Sequence, residues 1–89
     1  MEGITKSGFK FKVDERVLKD WRFTMALTKM ENRKTAFDAL QGMNEMAELL
    51  LGDQIGDFFN HIKEKNEGFA PFEVVTAELK EILEQFPKN

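Results

Sequence analysis

The stretch VLKDWRFTMALTKM, Val17 to Met30, constrains the chain most, because its apolar residues occupy two sides of a helix rather than one. At about 100° per residue, Val17, Leu18, Trp21 and Met25 gather around one direction, and Phe23, Ala26, Leu27 and Met30 around roughly the opposite one. A surface helix of a globular protein needs a single apolar stripe. A rod with two stripes is either covered on both sides by its own chain or offers one side to another polypeptide. Exposed contiguous apolar patches mark interaction sites. Leu18, Trp21 and Met25 are therefore expected in the core, and Phe23, Ala26, Leu27 and Met30 on a partner-binding surface.

At 89 residues the chain is expected to form one domain, residues 1–89, with a β element over 1–13 and a helical part over 14–86. A domain of this size hides only about 60 to 65% of its unfolded surface, so self-association would help it and a homo-oligomer is expected. The sequence has no cysteine, which removes disulfides, thiolate zinc sites and cysteine nucleophiles. No apolar run approaches the ~18 residues of a membrane span, and MEGITKSGFKFKVD lacks a signal core, so a cytoplasmic protein with no membrane partner is expected. Thirteen basic and sixteen acidic residues give a net charge of −3, with the cations scattered among acids. That distribution serves phosphate neutralisation poorly, and nucleic acid is not expected as a partner. Nine phenylalanines and five methionines with no tyrosine favour packing and adaptable contact over oriented chemistry.

Alternation of Phe9, Phe11 and Val13 with Lys10 and Lys12 predicts a half-buried strand, and Lys6-Ser7-Gly8 a turn pairing it with Glu2 to Thr5. Asp14 is the expected cap of the first helix, with a turn at Glu31-Asn32-Arg33-Lys34. Thr35 caps a second helix, whose apolar face holds Phe37, Leu40, Met43, Ala47, Leu50 and Leu51 and which ends at Gly52. Asp53 is expected to cap a third, carrying Ile55, Phe58, Phe59 and Ile62 at i, i+3, i+4, i+7. Pro71 opens a fourth, with Phe72, Val75, Leu79, Ile82 and Phe86 as its stripe and Pro87 discouraging continuation. The expected fold is mainly α: about four helices in a small domain with a short N-terminal β-hairpin.

Chemistry-bearing clusters are sparse. Asp53, Asp57 and His61 share one helix face, but three residues along one exposed helix rarely close a metal's coordination sphere. His61 is expected in solvent opposite the phenylalanine stripe. A serine nucleophile would need Ser7 with His61 as base, and no oxyanion motif accompanies them. Glu78, Glu81 and Glu84 fall at positions expected for exposed helix faces. With no phosphate loop or dinucleotide fingerprint, no catalytic residue, metal or cofactor is expected.

Three stretches together resemble the small tail assembly chaperones of long-tailed bacteriophages (siphophages) and their prophages. TKSGFKFKVDERVLKDW is similar to that family's entry: a Ser-Gly turn, an alternating aromatic strand and a first helix. ELLLGDQIGDFFNHI resembles its Leu-rich helix end, glycine break and following helix. The G-x-x-P-x-E-x-V-x-x-E-L-x-E-I pattern is carried by Gly68, Pro71, Glu73, Val75, Glu78, Leu79, Glu81 and Ile82. The likeness covers most of the chain outside Lys29 to Phe37.

The resemblance implies a mostly helical fold with a small N-terminal β element. It also implies a non-enzymatic protein that binds the long, aggregation-prone tape measure protein in the host cytoplasm and brings tail tube subunits to it. Such a protein is absent from the finished virion. In many members a frameshifted, extended product carries the tube contact, and Pro87-Lys88-Asn89 permit slippery codons. The alternative is a small phage or prophage regulatory adaptor that binds a host protein.

Overall fold

In the computed structural model the described residues are 1–32 and 34–86. Among them the chain is mainly helical, with four α-helices, two short 3-10 turns and a two-stranded antiparallel ribbon. Expectations that fall on Arg33 and on Pro87 to Asn89, the helix stop and the slippery codons included, lie outside the described residues. The chain gathers into two compact units, Met1–Lys12 with Asp53–Asn89, and Val13–Gly52.

The first unit begins with β1 (Glu2–Ile4) and β2 (Lys10–Lys12), paired Glu2↔Lys12, Gly3↔Phe11 and Ile4↔Lys10. The turn is the expected Lys6-Ser7-Gly8. Gly8 N–H donates to Thr5 O and Thr5 N–H to Phe9 O, both at 2.9 Å, and Gly8 has φ +98°, a conformation that favours glycine. Alternation then buries Phe9 and Phe11 and leaves Lys10 and Lys12 in solvent.

A two-stranded ribbon has two open edges, and a glutamine side chain covers part of each. Gln54 accepts from Lys12 N–H at 2.8 Å and donates to Lys12 O at 2.6 Å, while Gln85 Nε2 donates to Ile4 O at 2.9 Å.

α3 (Ile55–Lys65) and α4 (Phe72–Glu84) complete this unit. Their buried apolar residues are Phe58 and Ile62 on α3, and Val75, Leu79 and Ile82 on α4, with Phe86 just beyond its end. The Phe9 and Phe58 rings meet edge to face with centroids 5.4 Å apart, an arrangement favoured by the ring quadrupole. Phe72 departs from the expected stripe: it is exposed, as the first residue of α4 and one turn short of Val75. Asp53 caps nothing here. A single 3-10 turn, Gly52–Gln54, precedes α3, whose N-cap position is Gln54 and makes no side-chain cap bond.

The second unit opens with a 3-10 turn, Glu15–Lys19, capped by Asp14. The helix expected over Val17 to Met30 is broken at Asp20, whose backbone is extended (φ −74°, ψ 135°) and whose carboxylate caps α1 (Trp21–Glu31) by accepting from Arg22 N–H at 2.8 Å. Both caps use one device. The arginine two residues on turns back to clamp the aspartate, Arg16 on Asp14 and Arg22 on Asp20. Those arginine hydrogen bonds first, and the capped amide second, lower each carboxyl from its ordinary 3.8 to about 2.

α2 (Ala36–Leu51) returns against α1, capped as expected by Thr35, which accepts from Asp38 N–H at 3.2 Å. Gly42 lets the two helices approach closely. A β-carbon there would lie 2.7 Å from Ala26 O and 3.0 Å from Lys29 Cβ and Met30 Cγ. Met43, Met46, Ala47, Leu50 and Leu51 are buried. Phe37 and Leu40, expected on that face, are exposed instead. α2 has 16 residues against 11 in α1, and with Gly42 opposite Ala26 its first turn runs past the end of α1.

Gly42→Ala should therefore destabilise by about 1–2 kcal/mol in urea unfolding, the clash outweighing a propensity gain of up to ~1 kcal/mol. Gly56→Ala, at a helical position with nothing within 4 Å, should stabilise by a few tenths to ~1 kcal/mol. Unchanged or raised stability in Gly42→Ala would contradict the close crossing. The depressed carboxyls make a pH prediction as well. Their stabilisation is complete above the ordinary value of 3.8 and is lost as pH falls from there through about 2. In an acid titration followed by circular dichroism, Asp14→Asn/Asp20→Asn, which keeps the cap acceptors, should lose less stability than wild type over that window.

Candidate functional site

Two features of the fold carry chemistry or surface beyond simple packing, one in each unit. In the second unit the sides of α1 are the reverse of the expected ones. Phe23 (4% exposed) and Ala26 (0%) lie in the core, with Leu27 and Met30 half-buried, whereas Trp21 (75%) and Met25 (40%) face solvent. The cause is the break at Asp20. Val17 and Leu18 sit in the 3-10 turn, so they no longer extend the Trp21 and Met25 side. α1 is left with four apolar residues on one side against two on the other, and the larger side is the buried one. Phe23, Ala26, Leu27 and Met30 are thus corrected from partner surface to buried face, and Trp21 and Met25 from core to surface.

Trp21 and Met25 line a groove of about 470 Å³ along the α1–α2 hairpin, with Arg22 on α1 and Glu45, Glu48 and Leu49 on α2. Lys29 bonds to Glu45 at 2.8 and 3.0 Å, and Arg22 is held by Asp20. The Glu48 carboxylate accepts the Asn44 amide, at 3.3 Å, and among the described residues no cation pairs with it.

In the first unit the fold brings Ser7 and His61 together. Ser7 Oγ lies 2.9 Å from His61 Nε2, 3.2 Å from Thr5 Oγ1 and 2.6 Å from Glu78 Oε1. His61 is not solvated as expected: it is half-buried, its ring 5.6 Å from that of Phe9. Nor is Glu78 on an exposed face. It is 7% exposed and sits within the Val75, Leu79, Ile82 stripe, while Glu81 is half-buried and accepts from Lys6 N–H at 2.6 Å. Of the three glutamates only Glu84 is exposed as expected.

Proton accounting fixes the roles. A carboxylate only accepts, so the single Ser7 proton goes to Glu78. His61 must then donate its Nε2–H to Ser7 Oγ. Thr5 Oγ1, which accepts from Phe9 N–H at 3.1 Å, turns its own proton to Ser7 as well. Both lone pairs of Ser7 are thereby engaged. The cluster fastens the β-turn to α3 and α4. Glu78 Oε2 is buried without a partner, so the carboxylate depends heavily on its one bond to Ser7.

Asp53 and Asp57 are exposed, and among the described residues no three His, Cys, Asp or Glu side chains converge on a metal-sized site. No helix of the described residues is long and apolar enough to cross a membrane. No known family matches the sequence, and comparison with curated proteins and with solved structures finds no match either.

Sequence patterning carried signals for both features. Glu78 falls three residues after Val75 and four before Ile82, inside an apolar stripe. Asp20, an aspartate followed two residues later by arginine, repeats the Asp14-x-Arg16 cap. Ser7→Ala should cost about 1–3 kcal/mol in urea unfolding, because it strands a buried carboxylate. An unchanged midpoint would show that Ser7 does not satisfy Glu78.

Proposed function

We propose that the chain is a phage tail assembly chaperone, a non-enzymatic protein that binds the tape measure protein and keeps it in solution. The observation that carries this reading is the groove of Trp21, Met25 and Leu49, where the chain's sole tryptophan stands 75% exposed beside a second apolar helix. Leaving so large an apolar side chain in water forfeits about 1.5–3 kcal/mol of burial, which a binding partner recovers. The mainly helical fold with its N-terminal ribbon is also the one the family resemblance implies.

In this reading the gripping surface is the Trp21 side of α1, in place of Phe23, Ala26, Leu27 and Met30. The absence of an ATP-binding motif from the sequence suits holding by mass action: binding the unassembled client lowers its free, sticky concentration. Methionine at the groove adapts to varied client side chains. Tail tube subunits, recruited through an extended frameshift product, then compete for the same client and release it. Several copies act together in the bacterial cytoplasm, and none remains in the virion.

The reading requires a very long, helix-rich protein encoded just downstream, and co-expression with that protein as the tape measure client tests it. Wild type should keep that protein in the soluble fraction. Trp21→Asp and Met25→Asp, both at exposed positions and so within about 0.5 kcal/mol of wild-type stability, should lose most of this effect with an unchanged circular dichroism spectrum. Full protection by both variants would overturn it. Phe23→Asp, by contrast, should unfold the chain.

A further inference from the structure

The groove's charges specify more than an apolar client. We infer that its occupant is an amphipathic helix carrying Lys or Arg beside its apolar stripe, an inference that rests on the Trp21 groove being the gripping surface. Two observations favour this occupant. The floor is formed by single turns of two helices, Trp21 to Met25 and Glu45 to Leu49. A trough beside a helical hairpin suits the ridge of a third helix, whose i, i+3, i+4 side chains seat in it together.

The charges around the floor do not cancel. Arg22 is neutralised by Asp20, and Glu45 by Lys29. Glu48 is left with a neutral amide as its partner. The one charge in the groove without an opposite partner is therefore negative, and a cation on the occupant's flank meets it. An acidic flank would face Glu48 unscreened once water is excluded from the contact.

The test uses two 15-residue peptides without tryptophan. They share a leucine stripe at i, i+4, i+7 and i+11, and differ only in carrying three lysines or three glutamates on the flank. Trp21, the sole tryptophan, reports binding by a blue shift of its emission. The lysine peptide should bind at least tenfold more tightly than the glutamate peptide, with the gap narrowing at high salt. Glu48→Lys, at an exposed position, should reverse the order.

Equal affinities, or an order unchanged in Glu48→Lys, would overturn the inference. So would a Trp21 shift that follows protein concentration with no peptide present, since the groove would then belong to a second copy of the chain. These results bear on the charge rule alone. The chaperone reading stands or falls on whether Trp21→Asp and Met25→Asp still keep the tape measure protein soluble.

Discussion

Asp20 turns the chain at the point on which its surface depends. The carboxylate serves as the cap of α1, and the extended backbone that capping requires ends the preceding 3-10 turn. Without that break, Val17, Leu18, Trp21 and Met25 would form one continuous stripe, equal in size to the Phe23, Ala26, Leu27 and Met30 side. With it, the contest is uneven, and Trp21 and Met25 stay in water. The arginine clamp on Asp20 reinforces the device and places Arg22 at the groove's rim already neutralised.

Close packing supports the same outcome from the other side. α1 rests on α2 at Gly42, where Ala26 and Met30 leave no room for a side chain. That contact uses the buried side of α1 and leaves the groove on its flank, with Glu45 and Glu48 opposite Trp21 and Arg22. In the other unit, buried polarity does comparable work. Ser7 ties the β-turn to α3 and α4 through His61 and Glu78, and the ribbon's edges are met by Gln54 and Gln85 rather than by further strands. Satisfying its polar groups this way lets a three-residue strand pair hold its register on two helices.

Local rules made much of this legible. The Ser-Gly turn, the alternating Phe9 and Phe11, the caps at Asp14 and Thr35 and the buried stripes of α3 and α4 each depend on residues within a turn or two of one another. What escaped depends on distant partners or on competition between similar patterns. Glu78 is buried because Ser7, 71 positions away, donates to it, and nothing near α4 announces that donor. The two sides of Val17 to Met30 are matched on a helical wheel, and the choice between them turns on a second cap hidden in a pattern that otherwise continues the helix. Periodicity alone places Phe37 and Phe72 in the core, but it does not say where a neighbouring helix ends.

The central claim is that the Trp21 and Met25 side of α1 is outward in the free protein and covered when a client binds. Because the sequence lacks cysteine, thiol labelling of single-cysteine variants reads this directly. Met25→Cys should label rapidly in the isolated protein and slowly with the tape measure protein bound, while Ala26→Cys should label slowly in both states. Rapid labelling at position 26 together with protection at position 25 in the isolated protein would contradict the account.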